Sequence, residues 1–314
     1  MTVKALRATL LAAVASLAAF CATVWFGAAA VALSLLASVP VAFVTIRYGV
    51  RAGALALALA AAGSFVAGGQ QLPLVYLAMY GSAGLVLPML LRRQWRWDRA
   101  LLAALLLSLL GSTTMIWHGT QQTGLSVSQI IQQEIDSEIQ SVLQQSPDRW
   151  SNEQKIQVRH FGEELTEVAT KAWPAMVALG HAILLLVTLW ALSRMLPLEL
   201  PWVAEPFSRW RSPEWLVWGV IGGGFALLLP PSMTGALAGP VQTFGWNVLI
   251  LLVPVFFLQG LAVLVALLER FAVSPVMRAL ILVMVFLFNP LPLVLASVGL
   301  FDIWADFRKP RIKT

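Results

Sequence analysis

The chain has 314 residues, of which 59% are hydrophobic and 11% charged, and its formal net charge is +6 at neutral pH. Soluble domains carry roughly 25% charged residues, so too few polar side chains are present to cover a core this rich in Ala, Leu and Val. A water-soluble enzyme and a disordered protein are excluded, and lipid is the natural solvent for most of the chain. The basic excess reads as Lys and Arg retained in cytoplasmic loops rather than as a nucleic-acid surface. The single cysteine, Cys21, excludes a disulfide framework, and His118, His160 and His181 lack metal-ligand spacing.

A spanning helix needs about 20 mostly apolar residues. Nine segments meet that pattern, at roughly 5–26, 28–46, 52–69, 72–91, 99–117, 173–193, 214–230, 244–268 and 277–300. The first follows Lys4 and Arg7 like a signal peptide, but the apolar run resumes at Ala28, so a retained helical hairpin is expected. Arg47 and Arg51 lie between the second and third segments, and Arg92, Arg93, Arg96 and Arg99 between the fourth and fifth. With Lys4 and Arg7 these basic residues occupy alternate connections against the single acid Asp98. The positive-inside rule makes that side cytoplasmic and places the N-terminus inside a bacterial cytoplasmic (inner) membrane.

The first five segments, residues 1–117, deliver the chain to the outer face. Residues 118–171 then hold eight acids and four bases. Val127, Ile130, Ile131, Ile135, Ile139, Val142 and Leu143 recur at helical spacing, as do Ile156, Phe161, Leu165 and Val168. Ser126 with Gln129, and Ser151 with Gln154, suit the starts of two helices, and Ser146-Pro147-Asp148 suits the turn between them. The expectation is a polar extracytoplasmic helical hairpin, which serves as a lid, a docking element or a passive loop.

Residues 172–314 form the C-terminal membrane region, entered through Trp173-Pro174. His181 lies inside its first span and is expensive there. It either hydrogen-bonds a neighbouring helix or contacts a ligand. The connection from Arg194 to Glu214 contains Pro197, Pro201 and Pro206 and reads as an interfacial elbow anchored by Trp202, Trp210, Trp215 and Trp218. Gly222-Gly223-Gly224 sits in an apolar run, where close helix packing explains it better than a phosphate cradle does. Asn247 and Gln259 fall about 18 Å apart along one helix. Both amides need partners, either another helix or a bound polar ligand. Phe288-Asn289-Pro290-Leu291-Pro292 interrupts the last segment, which makes Asn289 a further polar candidate. Asp302, Trp304, Asp306 and Arg308 are expected to form an interfacial amphipathic end with local i,i+4 and i,i+2 contacts, or a docking site for a partner. Nine complete spans would put Arg308, Lys309, Arg311 and Lys313 outside, so eight crossings with a re-entrant Asn-Pro-Leu-Pro segment and a cytoplasmic tail are favoured.

The run Phe207-Ser208-Arg209-Trp210-Arg211-Ser212-Pro213-Glu214-Trp215, then Asn247 with Phe257-Leu258-Gln259-Gly260-Leu261, then Gly299-Leu300-Phe301-Asp302-Ile303-Trp304-Ala305-Asp306-Phe307-Arg308-Lys309 resembles, in that order, the YybS-like family of bacterial inner-membrane proteins. That family is distantly similar to the S components of energy-coupling-factor vitamin transporters and to the rod-shape protein MreD. The resemblance implies an all-α, polytopic transmembrane helical bundle, and it brings no substrate or catalytic residue with it.

No Gly-rich phosphate loop, GxSxG elbow or close intramembrane carboxylate pair is present, so the chain does not read as an enzyme and calls for no cofactor or metal. Two functions fit. One is a transporter or its substrate-binding membrane subunit, partnered by a small-molecule substrate and a separate energising module. The other is a non-transporting envelope scaffold that contacts division or wall-synthesis proteins.

Overall fold

The computed structural model describes residues 2–26, 30–145, 151–197, 199–200, 207–234 and 237–309. The Ser146-Pro147-Asp148 turn, Pro201, Trp202 and Pro206 of the elbow, and Arg311 and Lys313 of the tail lie outside the described residues. Those described are helical or connecting, with no strand among them. The chain divides into two compact units, residues 1–155 with 177–204, and residues 156–176 with 205–314.

In the first unit, α1 (Val3–Phe26) packs on the short α2 (Val31–Ser34), on α3 (Val39–Tyr48) and on α4 (Val50–Gly68), and α3 packs on α4. Gly49 separates α3 from α4 at φ 103°, a conformation glycine adopts without a Cβ clash. Arg92 closes the end of α3 by donating to the carbonyls of Thr45 and Ile46. Helix α5 (Gln71–Gly81) continues through a π-helical turn, Ser82–Val86, into α6 (Leu87–Arg92). The turn packs closely on α3, because a Cβ on Gly84 would lie 3.1 Å from Val41. The Thr45 hydroxyl donates to the Gly84 carbonyl at 3.0 Å. Phe20, Tyr76 and Tyr80 form an aromatic cluster with centroids 5.4–5.7 Å apart, and Ser16 holds the buried Tyr76 hydroxyl at 2.6 Å. Helix α7 (Trp97–Thr123) packs on α5 and ends at Gly124 in the left-handed region, φ 68°.

The polar stretch forms α8 (Val127–Gln145) and the start of α9 (Asn152–Met195). Ser126 and Gln129 exchange side-chain and backbone hydrogen bonds, as do Ser151 and Gln154, so each helix starts on a capping box. Helix α9 does not break at Trp173-Pro174. It runs for 44 residues, about 66 Å at 1.5 Å per residue, roughly twice the hydrocarbon core of a bilayer.

In the second unit, α10 (Leu216–Leu228) and the short α11 (Pro231–Thr234) lead to the central helix α12 (Ala238–Arg270), which α10 and α14 (Leu291–Ala305) flank. Of the four glycines on α10, Gly219 and Gly223 make close approaches, with Cβ positions 2.6 Å from the Leu252 side chain and 3.3 Å from the Gly245 carbonyl, while Gly222 and Gly224 face open space. Helices α13 (Pro275–Leu287) and α14 meet at 106° across the Asn289-Pro290 break.

Among the described residues, six helices are long and apolar enough to cross a membrane, or seven if the bent α13–α14 pair is one span. That is fewer than the eight or nine expected. The residues 32–48 and 216–228 are apolar but short; the 13 residues of α10 extend about 20 Å, less than the hydrocarbon thickness.

Candidate functional site

The second unit gathers Ser212, Gln259, Asp302 and Arg308, drawn from three distant sequence motifs, into one buried network. Gln259 Oε1 accepts from the Ser212 N–H at 3.2 Å and from the Ser212 hydroxyl. Its Nε2 donates to Asp302 Oδ2 at 3.3 Å. Asp302 Oδ1 accepts the Phe307 N–H at 3.0 Å, and Oδ2 pairs with Arg308 Nη2 at 2.9 Å. Arg308 Nη1 donates to the carbonyls of Ser208 and Trp210 at 2.9 and 2.7 Å. The Asp302 side chain is 0% exposed and that of Arg308 9%, so this ion pair is desolvated and its geometry is completed by hydrogen bonds at both ends.

The expected i,i+2 contact of the terminal motif is replaced. Arg308 reaches back six residues to Asp302, and Asp306 pairs instead with Arg211 at 2.6 Å and Lys309 at 2.8 Å. The reason is backbone geometry: α14 ends at Asp306, which adopts φ 42°, and the chain reverses there. The hydrogen bond from Lys309 holds the Asp306 carboxyl below its usual value, and the charges of Arg211 and Lys309 act in the same direction. Trp304 is exposed and tilts against Phe301.

Asn247 sits elsewhere on α12 and does different work. Its Oδ1 accepts the Ala175 N–H at 2.8 Å, and its Nδ2 donates to the carbonyls of Lys171 and Thr243 at 2.7 Å each. The carboxamide thus bridges the i,i+4 groups of the helical turn that contains Pro174, whose ring removes a donor and crowds the preceding turn. His181, in the first unit, is buried and shares a 2.7 Å hydrogen bond between Nε2 and the hydroxyl of Ser112 on α7. Asn289 is exposed at the bend between α13 and α14. None of Asn247, His181 or Asn289 joins the Gln259 network.

The first unit also contains a groove of about 620 Å³, which the sequence does not announce. Its apolar wall includes Leu57, Leu77, Leu85 and Leu107. At one end are Gln71 and His118, each hydrogen-bonded to Gln122. Farther along are Ser82 and Ser108, whose hydroxyls bond one another. Ser108 and His118 are ten residues apart on α7, about 15 Å, so two polar pairs sit well separated on a mainly apolar wall that also carries Thr114. The π-helical turn supplies Ser82, Leu85 and Val86 to this surface; such turns recur at functional sites. The small residues Gly81 and Gly111 that keep it open are a weak signal in an Ala- and Gly-rich chain. Among the described residues, no cluster of three His, Cys, Asp or Glu side chains gathers to hold a metal ion.

Apolar helices of spanning length with polar groups satisfied between them define a polytopic, all-α membrane protein. More particularly, the chain belongs to the family described as predicted membrane protein DUF2232, which matches residues 14–303. No curated protein and no solved structure matches it.

Proposed function

We propose that this protein is a substrate-binding membrane subunit of a transport system in the bacterial inner membrane, with its N-terminus cytoplasmic and residues 118–171 extracytoplasmic. The observation that carries the reading is the groove in the first unit. Its volume lies within the range of small-molecule sites, and those sites pair apolar walls with a few placed polar groups. A small amphipathic molecule matches it, with polar ends at Gln71/His118 and at Ser82/Ser108 and an apolar body between. The resemblance to YybS-like proteins and, through them, to S components supports the same role, with a separate module supplying energy. The chemistry asked of the chain is binding and release rather than bond making.

The test is to purify the protein in mild detergent and identify co-purified small molecules by mass spectrometry, beside a Gly111→Phe variant. A Cβ at Gly111 meets only Ala78 at 3.9 Å, so the larger ring fills the groove. The expected result is a defined molecule in the parent that is lost from the variant at unchanged helix content. Equal recovery from both would place the ligand elsewhere, and no bound molecule in either would overturn the reading.

One observation favours an envelope scaffold similar to MreD as a second reading. On the polar part of α9, Ile156 is 66% exposed and Phe161 62%, an apolar stripe on a water-facing helix that suits a partner protein. Loss of a specific partner on removing 127–171, with no ligand at the groove, would favour that reading.

A further inference from the structure

The elbow, α12 and the chain after α14 frame a second, open cavity of about 330 Å³, lined by Ser208, Arg209, Arg211, Ala266, Glu269 and Arg308. Arg209, Arg211 and Arg308 line it with one acid, Glu269. Arg308 is already engaged. Its Nη atoms are spent on Asp302 and on the carbonyls of Ser208 and Trp210. Its Nε is, among the described residues, the buried side-chain polar atom without an acceptor, and its side chain is nine-tenths buried. That nitrogen has no surface open to the cavity, so the donors that a ligand can reach are those of the exposed Arg209 and Arg211. Arg209 pairs with no acid among the described residues, and Arg211 gives Nη2 to Asp306, leaving most of its planar fork for other acceptors.

We propose that this cavity binds a phosphate oxyanion, supplied by the headgroup of an anionic phospholipid. The open guanidinium donors of Arg209 and Arg211 match an anion with several acceptor oxygens, which accepts bidentate forks. The surroundings favour the lipid as the source. Phe207 and Trp210 stack within the elbow at 6.4 Å between ring centroids, and Trp215 and Trp304 are exposed in the flanking sequence. Aromatic side chains of this kind settle at headgroup level, and basic pockets between membrane helices are a recurring lodging for anionic headgroups. This inference is independent of the groove in the first unit.

The experiment uses the full chain. Thermal unfolding is followed in nanodiscs of phosphatidylcholine alone and of phosphatidylcholine with phosphatidylglycerol, and in detergent titrated with inorganic phosphate. Phosphatidylglycerol is expected to raise the melting temperature. Arg209→Gln is expected to weaken that response about tenfold, the scale of one charge-assisted hydrogen bond, without altering the melting temperature in pure phosphatidylcholine. Arg51→Gln removes the same charge from an exposed site on α4 and is expected to keep the full response. A response to inorganic phosphate alone, again lost in Arg209→Gln, would keep the oxyanion site and assign it to free phosphate, overturning the lipid source. Equal losses in both variants would reduce the effect to general electrostatics and overturn the site, as would the absence of any response to either anion.

Discussion

Gly260 and Gly299 meet backbone to backbone. A Cβ on Gly299 would lie 2.0 Å from the Phe256 carbonyl oxygen and 2.5 Å from the Gly260 nitrogen, and a Cβ on Gly260 would lie 1.9 Å from the Leu295 carbonyl oxygen. Helices α12 and α14 therefore touch at the minimum separation, and each next places a polar side chain within reach of the other. Gln259 precedes the first glycine, Asp302 follows the second by less than a turn, and their side chains join at 3.3 Å. The crossing comes from van der Waals packing of small residues, as expected where lipid offers no hydrophobic drive between helices.

Gly299→Ala is accordingly expected to lower stability by about 1–3 kcal/mol, the scale of an overpacked contact, read as a fall in thermal unfolding temperature in detergent. Gly222→Ala meets open space and is expected to be neutral or to gain up to about 1 kcal/mol from helix propensity. Equal effects at the two positions would show that the crossing is not rigid.

Removing one member of the buried pair strands the other. Asp302→Asn is expected to cost about 3–5 kcal/mol, because Arg308 keeps its charge in a desolvated site. Adding Arg308→Met should recover part of that loss, and a double-mutant cycle by thermal unfolding measures the coupling. Gln259→Leu, which strands the Ser212 donors while Asp302 Oδ2 keeps Arg308, should cost less, about 1–3 kcal/mol. Strictly additive losses for Asp302 and Arg308 would contradict the network.

Asn247→Leu is expected to cost about 1–3 kcal/mol, since the Lys171 carbonyl and Ala175 N–H lose their bridging amide. In a Pro174→Ala background the helix can make its own ladder, and the same substitution should cost measurably less. An identical cost in both backgrounds would separate Asn247 from the proline.

Single-cysteine labelling in intact cells, after replacement of the buried Cys21, tests the orientation that the loop charges imply. A cysteine at Glu138 should react with an impermeant reagent from outside, and one at Arg96 only after permeabilisation. Both positions are exposed on the protein. Reversed labelling would invert the topology.

The tail has a predictable acid response. Asp306 has its carboxyl held below the usual 3.8 in the folded protein, so it binds protons less readily there than when unfolded. Its ion pairs with Arg211 and Lys309 therefore contribute fully above the ordinary carboxylate range and are lost only as pH falls through the lowered folded value. Tryptophan fluorescence from Trp304, isolated by difference against a Trp304→Phe variant, should change below about pH 4. Asp306→Asn should remove that step; its persistence would assign the titration to another group.

Much of this protein is determined by its sequence alone. The solvent follows from composition, because 11% charged residues cannot cover a water-soluble surface. The helices follow from uninterrupted apolar runs, and the starts of α8 and α9 follow from Ser126/Gln129 and Ser151/Gln154, because a capping box is an i,i+3 device that needs no distant partner. The expense of a polar group in lipid singles out His181, Asn247, Gln259 and the Asp302–Arg308 stretch for the same reason. What satisfies each of them is decided only by tertiary structure. Ser112 lies 69 residues from His181 and Ala175 lies 72 from Asn247, separations over which periodicity carries no information. The terminal carboxylates look locally paired in sequence, yet the left-handed turn at Asp306 sends Arg308 back to Asp302 and frees Asp306 for Arg211. The groove between α5 and α7 likewise needs the tertiary structure, since Ser82 of the π-helical turn meets Ser108 across 26 residues. A helix ladder shifted by one residue leaves no mark in hydropathy, and the turn shows itself only where it packs on α3, with Thr45 donating to the Gly84 carbonyl.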